Sequence, residues 1–236
     1  MGSGRLKDRV AIVTGGADGI GRRIAELFAS EGAHLVIGDL DAEAGRRTVE
    51  SIRGDGHDAL FVECDISQEE GVRRLAEAAV NGFERIDILV NNAGIYRSDT
   101  VAETSAEDWD RVMEVNLKGT FLCSRAVLRP MMRQKSGVII NISSRAGKKG
   151  LAEAGAYAAS KGGVIAFTYS LMLEVKELGI RVNAICPGMV HTTMGDGSPV
   201  MPGERWIEPE EIARVALFLA SDEGSAVNGA AVNAYG

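Results

Sequence analysis

Short apolar runs alternate along this chain with stretches of helical spacing. Residues 10–14 (Val-Ala-Ile-Val-Thr) are nearly all apolar and stop at Gly15-Gly16, as a strand buried on both faces does. Further runs of this kind predict strands over 33–38, 59–63, 86–90, 138–142, 180–186 and 230–234. Between them the apolar period lengthens. Ile24, Leu27 and Phe28 share one face of a helix expected over 20–30. A charged helix is expected over 41–53, and another from Ser67 to about 80, where Ser67 and Glu70 have capping-box spacing. A long helical stretch over 105–134 reads as broken near 116–119. Helices over 155–178 and 210–220 follow, with Pro209 suited to a first helical position. Strand and helix alternate throughout, which predicts an α/β architecture: a doubly wound parallel sheet of about seven strands with helices on both faces. No repeat, low-complexity block or linker interrupts it, so residues 1–236 read as one domain.

Composition narrows the partners. The 236 residues carry a net charge of −7, which argues against nucleic acid or an anionic membrane as the main partner. No apolar run reaches the roughly 18 residues that a membrane span needs. Residues 1–5 read as a flexible leader without the apolar centre of a signal peptide. Cys64, Cys123 and Cys186 are odd in number and show no CxxC spacing, so they read as free thiols in a reducing, cytoplasmic setting. His34, His57 and His191 are scattered, and no metal site is expected.

In sheets of this kind ligands sit beyond the carboxyl ends of the strands, so the segments there carry the chemistry. The first is Thr14-Gly15-Gly16-Ala17-Asp18-Gly19-Ile20-Gly21, a glycine-rich loop between strand and helix. Its glycines let backbone approach a pyrophosphate, and the helix start offers free N–H groups. After the second strand comes Asp39, spaced to bond the adenosine ribose hydroxyls. Leu40 and Asp41 follow it rather than Arg or Lys. With Asp18 adding negative charge, the pattern favours NAD over NADP. Asp39 also fits a helix N-cap. Asp65, after the third strand, suits either the adenine amino group or a cap.

Asn91-Asn92-Ala93-Gly94 follows the fourth strand, with small residues and amides against which a cofactor lies easily. Asn116 is a polar residue between Val115 and Leu117, so its amide needs a partner, structural or in a proton relay. Ser144, after the fifth strand, has no G-x-S-x-G surroundings and is no serine-hydrolase nucleophile. It reads as a hydroxyl that holds a substrate oxygen. After the sixth strand, Pro187-Gly188 makes a turn and Thr192 suits the nicotinamide carboxamide. Tyr157 and Lys161 lie four residues apart on one helix face. A phenol titrates near 10 in isolation, and a neighbouring ammonium lowers that value, so the pair reads as a proton-transfer device.

Assembled, these residues resemble the short-chain dehydrogenase/reductase family in its single-domain Rossmann-fold form, over about residues 6–233. The family pattern TGxxxGxG falls on Thr14, Gly15, Gly19 and Gly21, NNAG on Asn91 to Gly94, and the Pro-Gly motif on Pro187 and Gly188. The resemblance implies a catalytic set of Asn116, Ser144, Tyr157 and Lys161. It implies cofactor contacts at Gly15, Asp18, Gly19, Ile20, Gly21, Asp39, Leu40, Asp65, Ile66, Asn92, Ala93, Gly94, Tyr157, Lys161, Pro187, Gly188, Val190 and Thr192. Tyr157 would act as general acid or base, Lys161 would lower its pKa and hold the nicotinamide ribose, Ser144 would position the substrate oxygen, and Asn116 would fix a water linking Lys161 to solvent. A homo-oligomer, tetramer or dimer, built on the two long helices is also implied.

Two departures matter. The segment 194–207 is shorter than the substrate lid of relatives, which suggests an open pocket or one completed by a neighbouring subunit. The tail Val232-Asn233-Ala234-Tyr235-Gly236 replaces a Val-Asp-Gly-Gly-like ending. The expected substrate is a small secondary alcohol or ketone, such as a sugar, a polyol or another hydroxy compound. A 3-oxoacyl-thioester reductase is the alternative, and a silent NAD-sensing regulator a remote one. Positive charge from Arg97, Arg145, Lys148 and Lys149 either draws a polar or anionic substrate or decorates solvated loops.

Overall fold

The computed structural model describes residues 4–195 and 205–236. Among them, seven parallel strands form one sheet in the order β3-β2-β1-β4-β5-β6-β7. They are β1 (Val10–Thr14), β2 (His34–Asp39), β3 (Ala59–Glu63), β4 (Ile88–Asn91), β5 (Gly137–Ile142), β6 (Ile180–Pro187) and β7 (Ala231–Ala234). The strand order reverses between β1 and β4, and the crevice at that switch point is where such sheets place a ligand. Register fixes what faces it: Val13 pairs with Val90, and Asn91 with Asn141, so Thr14, Asn91 and Asn141 all lie at the same edge.

Among the described residues eight α-helices cover the sheet: α1 (Gly19–Ser30), α2 (Ala42–Gly54), α3 (Glu69–Phe83), α4 (Ala106–Met113), α5 (Gly119–Gln134), α6 (Ala146–Lys149), α7 (Gly155–Val175) and α8 (Pro209–Ala220). Side chains alternate across each strand and feed two cores. Ala11 and Val13 pack with Ile24 and Phe28 of α1 and with Ile212 and Leu217 of α8. Val10 and Ile12 pack with Val72 and Leu75 of α3, Leu122 and Val127 of α5, and Leu171 of α7. Each fully buried Leu, Ile or Phe contributes about 1.5–3 kcal/mol, so these two layers hold the strand ends in place.

Element boundaries follow the sequence pattern closely, with three informative differences. Ser67 does not cap α3. Its hydroxyl donates to Asp65 Oδ1 at 2.7 Å, the N-cap position falls on Gln68, and no side chain caps it. The acidic neighbour competes for the hydroxyl that the Ser-x-x-Glu spacing assigned to the helix. The expected break in the long helical stretch is a π-helical turn, Glu114–Lys118, between α4 and α5. Residues 145–150, read as loop, contain α6. Its Gly147 packs flush on α7, where a Cβ would lie 2.6 Å from the Lys161 carbonyl carbon. Pro209 does open α8, with reciprocal capping by Glu208 and Glu211. The segment 194–207, expected to be a shortened lid, falls largely outside the described residues. Its flanks are pinned together by a parallel bridge between Val190 and Ile207.

Candidate active site

The glycine loop is built by backbone. Gly15 and Gly19 adopt φ of 62° and 55°, a left-handed region costly to residues with a Cβ. Asn92 locks the loop: its Nδ2 donates to Thr14 O at 3.0 Å and Gly15 O at 2.9 Å. The Thr14 hydroxyl accepts in turn from Asn92 N and Ala93 N. A Cβ on Gly21 would lie 2.0 Å from Gly15 O and 2.4 Å from Asn92 Nδ2. Asn92 therefore shapes the loop from beneath. Asp18 sits at the N-cap of α1 yet caps none of its N–H groups, which leaves the first turn open to an anion. Its Oδ2 instead accepts from Thr193 Oγ1 at 3.1 Å. Beside it opens a cavity of about 410 Å³ lined by Asp18, Gly19, Arg22, His191 and Thr192 among others. The Thr192 methyl lies over Gly19.

Asp39 is not an N-cap. That role belongs to Asp41, whose Oδ1 accepts from Ala44 N at 2.9 Å. The Asp39 carboxylate accepts from Ala17 N and Asp41 N, both at 3.0 Å, and so is aimed across the glycine loop. Leu40 is exposed on the rim. Asp65 serves its own turn, accepting from Ser67 N and Oγ, with Arg111 4.0 Å away. The side chains of Ile66 and Val190 are spent in the cores, so only their main chains can line a cofactor.

The second half of the site is built by buried side chains. Asn116 lies in the π-turn and is fully buried. Its Oδ1 accepts from Ile95 N at 2.8 Å, and its Nδ2 donates to Ile95 O at 2.9 Å and Ser160 Oγ at 3.0 Å. The amide thus pins the strand-end segment that carries Gly94 and Tyr96. A Cβ on Gly94 would meet Asn116 Oδ1 at 3.1 Å and Lys161 Nζ at 3.3 Å, so both polar groups face the space this glycine leaves. Lys161 is 4% exposed and donates to Ile142 O at 2.9 Å. Burial lowers its ammonium to about 8.

Tyr157 is half-buried, with the Ser144 side chain as a neighbour of its phenol. Ser144 Oγ accepts from Ala146 N at 3.1 Å, the first residue of α6, which fixes the hydroxyl beside the phenol. Burial pushes the Tyr157 pKa above its ordinary value, and the Ser144 side chain works against that rise. The expectation of a phenol depressed by lysine is corrected here. Nζ of Lys161 sits 5.8 Å from the ring centre and is bonded to the Ile142 carbonyl. The Tyr96 ring meets Tyr157 edge-on, with centroids 5.1 Å apart at 84°.

All four expected catalytic residues therefore converge on one edge of the sheet, opposite the glycine loop. Sequence reasoning missed three supports. Ser160 bridges Asn116 to Tyr157 O, Ser143 donates to Lys161 O at 2.8 Å, and Tyr96 walls the phenol. Ser143 and Ser160 adjoin Ser144 and Lys161 in sequence, and that adjacency was their only signal. The expected basic patch is largely engaged elsewhere. Lys148 donates to Ala231 O and Asn233 Oδ1 at 2.6 Å, Lys149 lies over the Tyr235 ring, and Arg97 faces Asp108 at 3.9 Å.

A family model described as short chain dehydrogenase matches residues 9–200. The chain is similar to the (2S)-[(R)-hydroxy(phenyl)methyl]succinyl-CoA dehydrogenase subunit BbsD of Thauera aromatica, 41% identical over 95% of this chain and 94% of that protein. It is 38% identical to a cyclopentanol dehydrogenase of Comamonas testosteroni, covering 96% and 95% of the two chains. Among solved structures, levodione reductase superposes with a TM-score of 0.94 at 34% identity, covering 98% and 97%.

Proposed function

The chain belongs to the short-chain dehydrogenase/reductase family, and on that premise we propose that it is an NAD-dependent oxidoreductase interconverting a small secondary alcohol and its ketone. The observation that carries the reading is the space left by Gly94, on which Lys161 Nζ and Asn116 Oδ1 converge, at the edge that also carries Ser144 and Tyr157.

The residues fit a dinucleotide. The uncapped first turn of α1 suits the diphosphate, Asp39 suits ribose hydroxyls, and the space left by Gly94 lies against Lys161 and Asn116. Asp18 and Asp39 place two carboxylates where a 2′-phosphate would be repelled, which supports NAD over NADP. When bound, NAD supplies the hydride acceptor. Tyr157 Oη takes the proton from the alcohol oxygen in oxidation and returns it in reduction. Ser144 Oγ holds that oxygen and stabilises developing charge. Lys161, anchored on Ile142 O, supplies a desolvated cation close to the ring, and Asn116 keeps the Ile95–Tyr96 segment in place.

Tyr96, packed edge-on against the catalytic ring, favours a compact carbon skeleton in the pocket. The names of two relatives, cyclopentanol dehydrogenase and levodione reductase, point the same way. A thioester-bearing substrate is the second reading, favoured by the similarity to the succinyl-CoA dehydrogenase subunit. Exposed Phe121 of α5 with Tyr169 and Leu173 of α7 supports a homo-oligomer through those helices. A cytoplasmic setting is part of the reading, supported by three free, buried cysteines. No helix among the described residues is long and apolar enough to cross a membrane.

The test is an NADH-absorbance screen of cyclic secondary alcohols, polyols, sugars and hydroxyacyl-CoA thioesters, each with NAD and with NADP. Turnover of a small alcohol with NAD is the expected result. Tight NAD binding with no turnover on any member would replace the enzyme reading with a sensor.

A further inference from the structure

At the opposite end of the sheet, where the strands begin, lies a cavity of about 330 Å³. That volume is at the small end of the range for ligand pockets, about 300–1,000 Å³. Three cationic side chains line it: Arg9 before β1, Arg181 at the start of β6, and Lys176 in the turn after α7. Two carboxylates, Asp87 and Asp222, line it as well.

The carboxylates do not balance the cations. Asp87 is 1% exposed, and its charge is met by Arg85, which donates to both its oxygens at 2.8 Å and 2.6 Å and does not line the cavity. Val10 N donates to Asp87 as well. Arg9 reaches Asp87 and Asp222 only at 3.6 Å each. Asp222 has a side chain 97% exposed, so solvent screens it. Lys176 is 4.0 Å from Glu177, which is itself 87% exposed.

Arg181 is the telling group. It is half-buried and has no ion pair among the described residues. Among the described residues its guanidinium donates only to Val227 O at 3.3 Å and Ser221 O at 3.2 Å. Burial lowers its pKa, the neighbouring Arg9 cation lowers it further, and Asp222 acts against both. A guanidinium desolvated to this extent is normally matched by an anion. Asn228, whose Oδ1 accepts from Val182 N, adds an amide nitrogen with no bond among the described residues.

We propose that this cavity is a binding site for a small oxyanion of the phosphate class, held by Arg181 with Arg9 and Lys176. Guanidinium groups match the paired oxygens of phosphate, and a partly desolvated cavity strengthens each bond. The site is separate from the cofactor crevice. β6 runs from Ile180 at the cavity to Pro187 at the crevice, about 23 Å along the strand.

The test titrates inorganic phosphate against the NAD-saturated protein at constant ionic strength and follows the thermal midpoint, which rises when a ligand binds only the folded chain. Saturating NAD keeps phosphate out of the glycine loop. The expected result is a saturable rise that chloride does not reproduce. Arg181→Gln removes it, and Lys176→Gln weakens the apparent affinity at least five-fold. Lys176 is exposed, so its variant folds normally and decides the matter even if Arg181→Gln does not fold. Both variants are expected to keep wild-type turnover. A glycerol phosphate arm separates the sources: tighter binding than inorganic phosphate marks a phosphorylated metabolite, and equal binding the free ion. A rise matched by chloride, or one unchanged in Lys176→Gln, overturns the proposal.

Discussion

The edge over β1 and β2 and the edge over β4, β5 and β6 build one crevice by opposite means. The first is made of main chain. Two glycines with positive φ turn the loop, and a third admits the Gly15 carbonyl to within van der Waals contact of α1. Asp39 is held by two backbone N–H groups. The second edge is made of side chains. Asn116, Ser143, Ser160 and Lys161 are all buried, and each is fixed by a hydrogen bond to a specific backbone group. The difference teaches where each edge is vulnerable. The backbone edge should fail when volume is added, and the side-chain edge when a polar atom is removed.

The largest effect is expected at the phenol. Tyr157→Phe should lower turnover about 1,000-fold, within the range for losing a general acid–base group, while NAD affinity stays within a few-fold. Steady-state rates and a fluorescence titration with NAD check the two halves of that statement. Gly21→Ala should do the reverse. Its methyl would overlap Gly15 O, so NAD affinity should fall about 100-fold, or about 2.7 kcal/mol, with the rate at saturating NAD little changed. If both variants lose the same property, the contrast between the edges is wrong.

Asn116→Ala sharpens the comparison. It strands Ile95 N and Ile95 O, so a urea melt should show a loss of about 2–4 kcal/mol. The rate constant should fall about 30-fold as Tyr96 and Gly94 shift. Asp39→Ser is the mildest. Removing one carboxylate should move the NAD-to-NADP ratio of kcat/KM about ten-fold toward NADP. A wild type that already prefers NADP would defeat the charge argument.

The same contrast explains what was legible in the sequence. Glycine loops and apolar strands are local patterns, so β1, β3 and the Thr14–Gly21 turn could be read with near-final boundaries. The four residues Asn116, Ser144, Tyr157 and Lys161 were readable because their spacing resembles a family pattern, and the structure brings them to one edge. What fixes them was not readable. Ser143 and Ser160 look like any helix or loop serine until the backbone places Lys161 O and Asn116 beside them. Ser67 misled because the Ser-x-x-Glu spacing carries no information about Asp65, which takes its hydroxyl. Helix α6 was missed because its four residues are packed against α7, a contact no local pattern shows. The phenol's direction of shift was missed for a related reason: four residues along a helix place Lys161 near Tyr157 but cannot say that its ammonium bonds Ile142 O.

The pH dependence of alcohol oxidation in wild type and in Ser144→Ala bears most directly on the claim that Tyr157 is the group that moves the proton. Oxidation needs the phenolate, so kcat/KM should rise with pH as the phenol ionises. The Ser144 side chain favours the phenolate, and its loss raises the phenol's pKa, so the rise should move to higher pH in Ser144→Ala with NAD affinity within a few-fold. A profile that stays at the same pH when Ser144 is removed would contradict the account.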